Sequence, residues 1–65
     1  MNRPATVYKP GRDVTVGDRL PLGPGGFLIL GFADLRPGIR LGLNCWGEGI
    51  VVDDDFPTRV LGRAT

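Results

Sequence analysis

Glycine and proline interrupt this chain at 17 of its 65 positions, as eleven Gly and six Pro. The longest stretch free of both runs from Ile50 to Phe56, only seven residues. In a helix interior Gly costs ~1 kcal/mol and Pro ~3 kcal/mol, so a helix of ordinary length has nowhere to form. At most a single helical turn fits, and DDDFP at 53–57 is the best place for it. So much Gly and Pro is also a mark of disorder, but the apolar residues oppose that reading. They make up 42% of the chain and fall in short runs with period-two alternation between turn residues. Disordered chains lack the apolar side chains that a core requires.

The expected class is therefore all-β, with five to six short strands and no long helix. IRLGLNCW at 39–46 gives the clearest strand pattern. Its alternation places Ile39, Leu41, Leu43 and Cys45 on one face and Arg40, Gly42, Asn44 and Trp46 on the other. Upstream, FLILGFADL is apolar on both faces, as in the middle of a layered or closed β structure. The RPG between them reads as a tight turn, with Pro37 presetting φ and Gly38 accepting a positive φ. GIVVD and TRVLG are two further strands, expected to form a second hairpin across DDFP. Near the N-terminus, ATVYK and DVTV flank the turn PGR, and VGDRLPLGPGG reads as a longer loop. No internal repeat or second domain is visible, so residues 1–65 are expected to form one small domain. The architecture this pattern predicts is a small antiparallel β-barrel or sandwich.

The segment DVTVGDRLPL followed by GGFLILGF resembles the opening strand, loop and second strand of SH3-like small β-barrels, in which a Val-Gly-Asp turn feeds the next strand. In size and style the chain also looks like compact β-proteins encoded by bacteriophages, some of them accessory parts of virions. The first resemblance implies a fold and the second a setting; neither carries a function with it.

At this length a hydrophobic core is close to the lower limit of independent stability. The usual supplements are a disulfide, a metal or a partner. Cys45 is the single cysteine, which rules out a bridge within the chain. The chain contains no His, so a zinc site of the usual kind has no ligand set. A partner chain is the remaining supplement, as a homo-oligomer or within a larger assembly.

Net charge is +1, from eight cations against seven anions, too balanced for attachment to nucleic acid or acidic membranes by bulk charge. Seven of the cations are Arg and one is Lys9. Arg favours bidentate and stacking contacts, although coding bias produces the same excess. No apolar run approaches the ~18 residues of a spanning helix. The segment MNRPATVYKP has no apolar stretch of the signal-peptide kind. These features predict a soluble protein, cytoplasmic or virion-borne rather than secreted, with no membrane partner.

Catalytic chemistry is poorly supplied. Ser, His and Gln are absent, so neither a Ser-His-Asp nor a Cys-His arrangement can be built. Cys45, on the Leu43 face, reads as a small buried hydrophobe. GPGGFL at 23–28 departs from the GxGxxG pattern at its last glycine, and no helix follows it. The run Asp53–Asp55 is the one acidic cluster. A glycosidase pair would require a cleft, and the spacing lacks the alternation of a calcium loop. The expected role of these acids is local: Asp side chains bond to nearby backbone amides, and Phe56-Pro57 disfavours α geometry before the next strand. No cofactor is expected.

The remaining feature is a surface. Arg36, Arg40, Asn44 and Trp46 form a candidate protein-binding set, because Trp and Arg dominate energetic hot spots at interfaces. Two placements are open for Trp46: outward in that set, or turned into the core by a bulge near Gly47 or Gly49. The sequence thus points to a non-enzymatic interaction module that docks onto other protein chains, in its most concrete form an accessory subunit of a phage virion or similar assembly. The alternative is a small nucleic-acid-binding barrel, with Trp46 or Tyr8 stacking on a base and Arg36, Arg40 and Arg59 on phosphates. Acids interleaved with nearly every Arg disfavour it. A third reading is a metal-binding protein using Asp53 and Asp55.

Overall fold

A computed structural model describes residues 6–62 of the chain. Just over half of them are strand. The strands are β1 (Thr6–Pro10), β2 (Arg19–Leu20), β3 (Phe27–Leu28), β4 (Gly31–Arg36), β5 (Ile39–Leu43), β6 (Gly49–Asp53) and β7 (Pro57–Leu61). One 3-10 turn, Gly11–Asp13, is the only helical piece among the described residues. The protein is a small all-β fold of antiparallel sheets: β1 with β7, β2 with β3, and the meander β4-β5-β6. No ladder among the described residues joins these sheets into a closed barrel. None of the described helices is long and apolar enough to cross a membrane.

The hairpin across RPG forms as its sequence dictates. β4 and β5 pair antiparallel, and Gly38 adopts φ +81°, a conformation that side chains with a Cβ rarely reach. GIVVD is strand β6 to the residue. FLILGFADL, by contrast, is two strands, because the chain changes sheets within it. Ile29 donates its N–H to the Asp18 carbonyl at 2.9 Å and accepts from the Gly17 N–H at 2.9 Å. One residue later, the Leu30 N–H donates to the Leu43 carbonyl at 2.8 Å. This exchange of partners separates β3 from β4 and raises the strand count above five or six.

Three local expectations are corrected. DVTV is not a strand: Asp13 ends the 3-10 turn, Val14 is buried, and the Asp18 carboxylate accepts from the Thr15 N–H at 2.9 Å. The single helical turn falls at GRD (residues 11–13) rather than at DDDFP. The segment DDFP does not close a hairpin, because β7 leaves β6 and pairs with β1, Val7 opposite Val60. Hydrogen bonding between the Gly11 N–H and the Phe56 carbonyl at 2.9 Å fixes that departure. The expected strand ATVYK begins at Ala5, which lies outside the described residues.

The core consists of Val14, Leu20, Ile29, Val52 and Val60, with Phe27, Phe32 and Ile50 packed against it. Its members come from separate elements, none supplying more than two of these side chains, so no element is stable alone. Gly11 is the tightest point of the assembly. A Cβ placed there would lie 1.8 Å from the Asp53 carbonyl oxygen, a backbone atom that cannot move aside. Gly11→Ala is expected to cost about 3 kcal/mol or more, the upper range for overpacking, read as a fall in the urea midpoint. An unchanged midpoint would show that the 3-10 turn does not rest on β6.

Candidate docking surface

The three-stranded sheet has an inner and an outer face, and β5 decides which side chains occupy each. Gly42 is buried, and a Cβ there would meet Ile29 Cδ1 at 3.3 Å and Ile50 Cγ2 at 3.4 Å. The Gly42 face is therefore the core face, and Arg40 shares it. The Arg40 guanidinium donates through Nη2 to the carbonyls of Gly11 at 2.7 Å and Val14 at 3.0 Å. It also lies 4.2 Å from the centroid of the Phe32 ring. Its Nε is 3.8 Å from Asp54 Oδ1, a charge contact too long for a hydrogen bond, and both of these atoms are buried. The polar side of IRLGLNCW is thus the inside at Arg40 and Gly42, which corrects the expectation that Arg40 projects outward. Inward orientation is permitted because one delocalised cation satisfies two backbone carbonyls and stacks on an aromatic ring.

Alternation then sends Ile39, Leu41 and Leu43 to the outer face. Cross-strand register sets Ala33, Leu41 and Val51 side by side, with Gly31, Leu43 and Gly49 in the next row. Leu41 lies over Gly49, where a Cβ would come within 2.8 Å of its Cγ. Ala33 is exposed and Val51 is 61% exposed. At its other end the sheet carries the row Arg36, Ile39, Asp53. This is an apolar stripe across three strands, with a cation at one corner and an anion at the other.

The four residues singled out from the sequence do not form one patch. Arg40 is inside. Arg36 is exposed at the β4–β5 turn, whereas Asn44 and Trp46 lie beyond the opposite end of β5. Asn44 organises the β5–β6 turn: its Oδ1 accepts from the N–H groups of Trp46 at 3.0 Å and Glu48 at 2.9 Å, and its Nδ2 donates to Glu48 Oε1 at 2.9 Å. That turn holds Trp46 at 82% exposure, so Trp46 is outside and not in the core. Cys45 is exposed as well, correcting its expected burial, since β5 ends at Leu43 and the alternation stops there.

Each acid of the Asp53–Asp55 run has its own partner. Asp53 Oδ1 accepts from the Asp55 N–H at 2.9 Å, and the Asp53 carbonyl accepts from the Phe56 N–H at 3.1 Å. Asp54 faces Arg40, and Asp55 is 3.3 Å from Arg12. The acids shape the turn, and no three His, Cys, Asp or Glu side chains converge among the described residues. Beside this turn a shallow groove is bordered by Tyr8, Pro10, Arg12, Asp55, Phe56 and Pro57, with both aromatic rings about two-thirds exposed.

Ion pairs engage Lys9 with Asp18 at 2.6 Å, Arg12 with Asp55 and Arg40 with Asp54. Arg19 donates to the Gly25 carbonyl at 2.6 Å. Arg36 and Arg59 are the only described cations outside these contacts; Arg3 and Arg63 lie outside the described residues.

The chain matches no protein-family model, no curated protein and no solved structure. Its function is therefore read from the surface itself.

Substitutions at two positions separate the inside of β5 from its exposed turn. Arg40→Ala removes the guanidinium from the Val14 carbonyl and leaves the Gly11 carbonyl only the Val14 N–H, and it is expected to cost about 2–3 kcal/mol, the range for hydrogen bonds to a charged group. Arg40→Lys recovers only part of that loss, because a point charge replaces the planar fork. Trp46→Ala is expected to stay within about 0.5 kcal/mol of the parent, as for a surface position. Urea unfolding of the three variants measures all of these, and equal losses at positions 40 and 46 would refute the placement.

Proposed function

We propose that this chain is a non-enzymatic docking module that attaches to other protein chains through the outer face of the β4-β5-β6 sheet. The observation that carries this reading is the apolar stripe of half-buried Ile39, Leu41 and Leu43 flanked by exposed Ala33 and Val51 on the outer face of the sheet. The largest apolar patch on a small protein is often a functional contact surface. The small core sharpens the point: with five buried apolar side chains among the described residues, little apolar area is left to spare for decoration.

The reading extends to the fold. The pairing of terminal strands β1 and β7, together with the meander and the β2-β3 hairpin, is consistent with an SH3-like arrangement that is not closed by continuous hydrogen bonding. An accessory subunit of a phage virion or similar assembly is the most concrete setting for such a module. The nucleic-acid alternative has less support, because Arg40 is turned inside and, of its three phosphate-binding candidates, only Arg36 and Arg59 remain outside.

A photo-reactive residue at Val51, with a control at exposed Thr15, tests the reading in cells that make the protein. A protein adduct is expected from position 51 and not from position 15. Equal yields, or none at 51, would remove the outer face as the docking surface.

A further inference from the structure

We infer that the chain covering this face is a second copy of the same protein, packed sheet on sheet about a two-fold axis that runs along β5. The inference rests on the docking reading above and names its partner. It is carried by the distribution of side chains on the face, which is self-complementary under that one rotation.

Past a bulge between Asp34 and Arg36, the row at one end of the face reads Arg36 on β4, Ile39 on β5 and Asp53 on β6. Cation and anion occupy opposite corners of the same end. A two-fold axis along the central strand exchanges the two corners, so Arg36 of one copy lies over Asp53 of the other, and the reciprocal pair forms on the far side. Arg36 makes no ion pair among the described residues. Asp53 uses Oδ1 within its own turn, and Oδ2 is left for this contact.

The apolar rows fit the same operation. In the middle row, Ala33 and Val51 flank Leu41. The rotation sets the small Ala33 against the larger Val51 of the second copy, twice, with the two Leu41 side chains meeting on the axis. In the next row, the glycines of one copy, Gly31 and Gly49, oppose Gly49 and Gly31 of the other, leaving room for Leu43 between them. Sheets packed face to face stand ~10 Å apart with strands within ~30° of alignment, a gap that an Arg side chain at the corner spans.

Pairing through the β6 edge instead is opposed by charge. Antiparallel self-pairing about Val51 brings Glu48 of one copy beside the Asp53–Asp55 run of the other, with like charges at both ends. Charge thus favours the face over the β6 edge for joining two copies.

Strength follows from size. Three strands of five residues present a face of about 14 by 17 Å, below the ~800 Å² per partner of a standard interface. The association is therefore reversible, in the micromolar range or weaker.

Sedimentation equilibrium over micromolar to millimolar protein tests the inference on the purified chain. The expected mass rises with concentration from 7.0 kDa to twice that value and goes no higher. Val51→Lys and, as a second probe, Ala33→Lys abolish the rise while circular dichroism reports an unchanged fold; both sites are exposed, so neither lysine disturbs the core. Arg36→Glu weakens association at least tenfold, and the parent dimer weakens as salt is raised. A parent chain that stays monomeric throughout overturns the inference, as does a dimer indifferent to Val51→Lys or to Arg36→Glu. If the monomeric parent still gives a Val51 adduct with a different protein in cells, the docking reading stands and only the second copy is excluded. A monomer with no adduct removes both.

Discussion

The inward turn of Arg40 determines which face of this protein is core and which is surface. Its guanidinium holds the carbonyls of Gly11 and Val14 and covers the Phe32 ring. The central strand of the meander is thereby joined to the 3-10 turn and to the neighbouring strand β4. A charge placed this way is stabilising only because backbone acceptors and an aromatic face replace its water. Once residue 40 is fixed inside, strand alternation leaves no choice for its neighbours. Leu41 and its cross-strand partners Ala33 and Val51 must lie outside. The apolar outer face is thus a consequence of the way the core is tied together.

The frequency of turn residues supplies the second constraint. Strands of two to six residues contribute at most two core side chains each, and the resulting core is small. Stability depends instead on close backbone approach, as where Gly11 lies against Asp53, and on polar side chains that secure turns. Asn44 and Asp53 each satisfy backbone N–H groups locally, which is how short loops stay ordered without a large hydrophobic layer over them. The proposed partner, by covering the remaining apolar area, would add to that stability by mass action.

Much of the architecture was legible in the residues. The absence of long helices, the turn at Pro37-Gly38, strand β6 and the turn-forming role of the Asp run all follow from local chemistry. Strand partners were less legible. Pairing of β7 with β1 depends on the long-range bond from Gly11 to Phe56, and the split in FLILGFADL depends on which carbonyl each amide finds. The face of β5 was misread for a physical reason: hydropathy assigns Leu to the inside and Arg to the outside, but here hydrogen bonding outweighs it. Gly42 held the missed signal, since a glycine within a strand marks close approach by a neighbour, and that neighbour is the Ile29 side chain. Arg36 is at the surface, and Trp46 takes the outward of its two open placements, yet the two lie at opposite ends of β5, because the strand stops before Trp46.

The orientation of the meander can be measured with single cysteines at the adjacent positions Val51 and Val52, each in a Cys45→Ala background. In dilute solution, the thiol at 51 should react with a disulfide reagent at close to the rate of an unfolded peptide. The thiol at 52 should be protected by orders of magnitude, since Val52 is 1% exposed and its reaction requires opening of the structure. The opposite order of rates would place Leu41 in the core and Arg40 outside, and the outer apolar face would not exist.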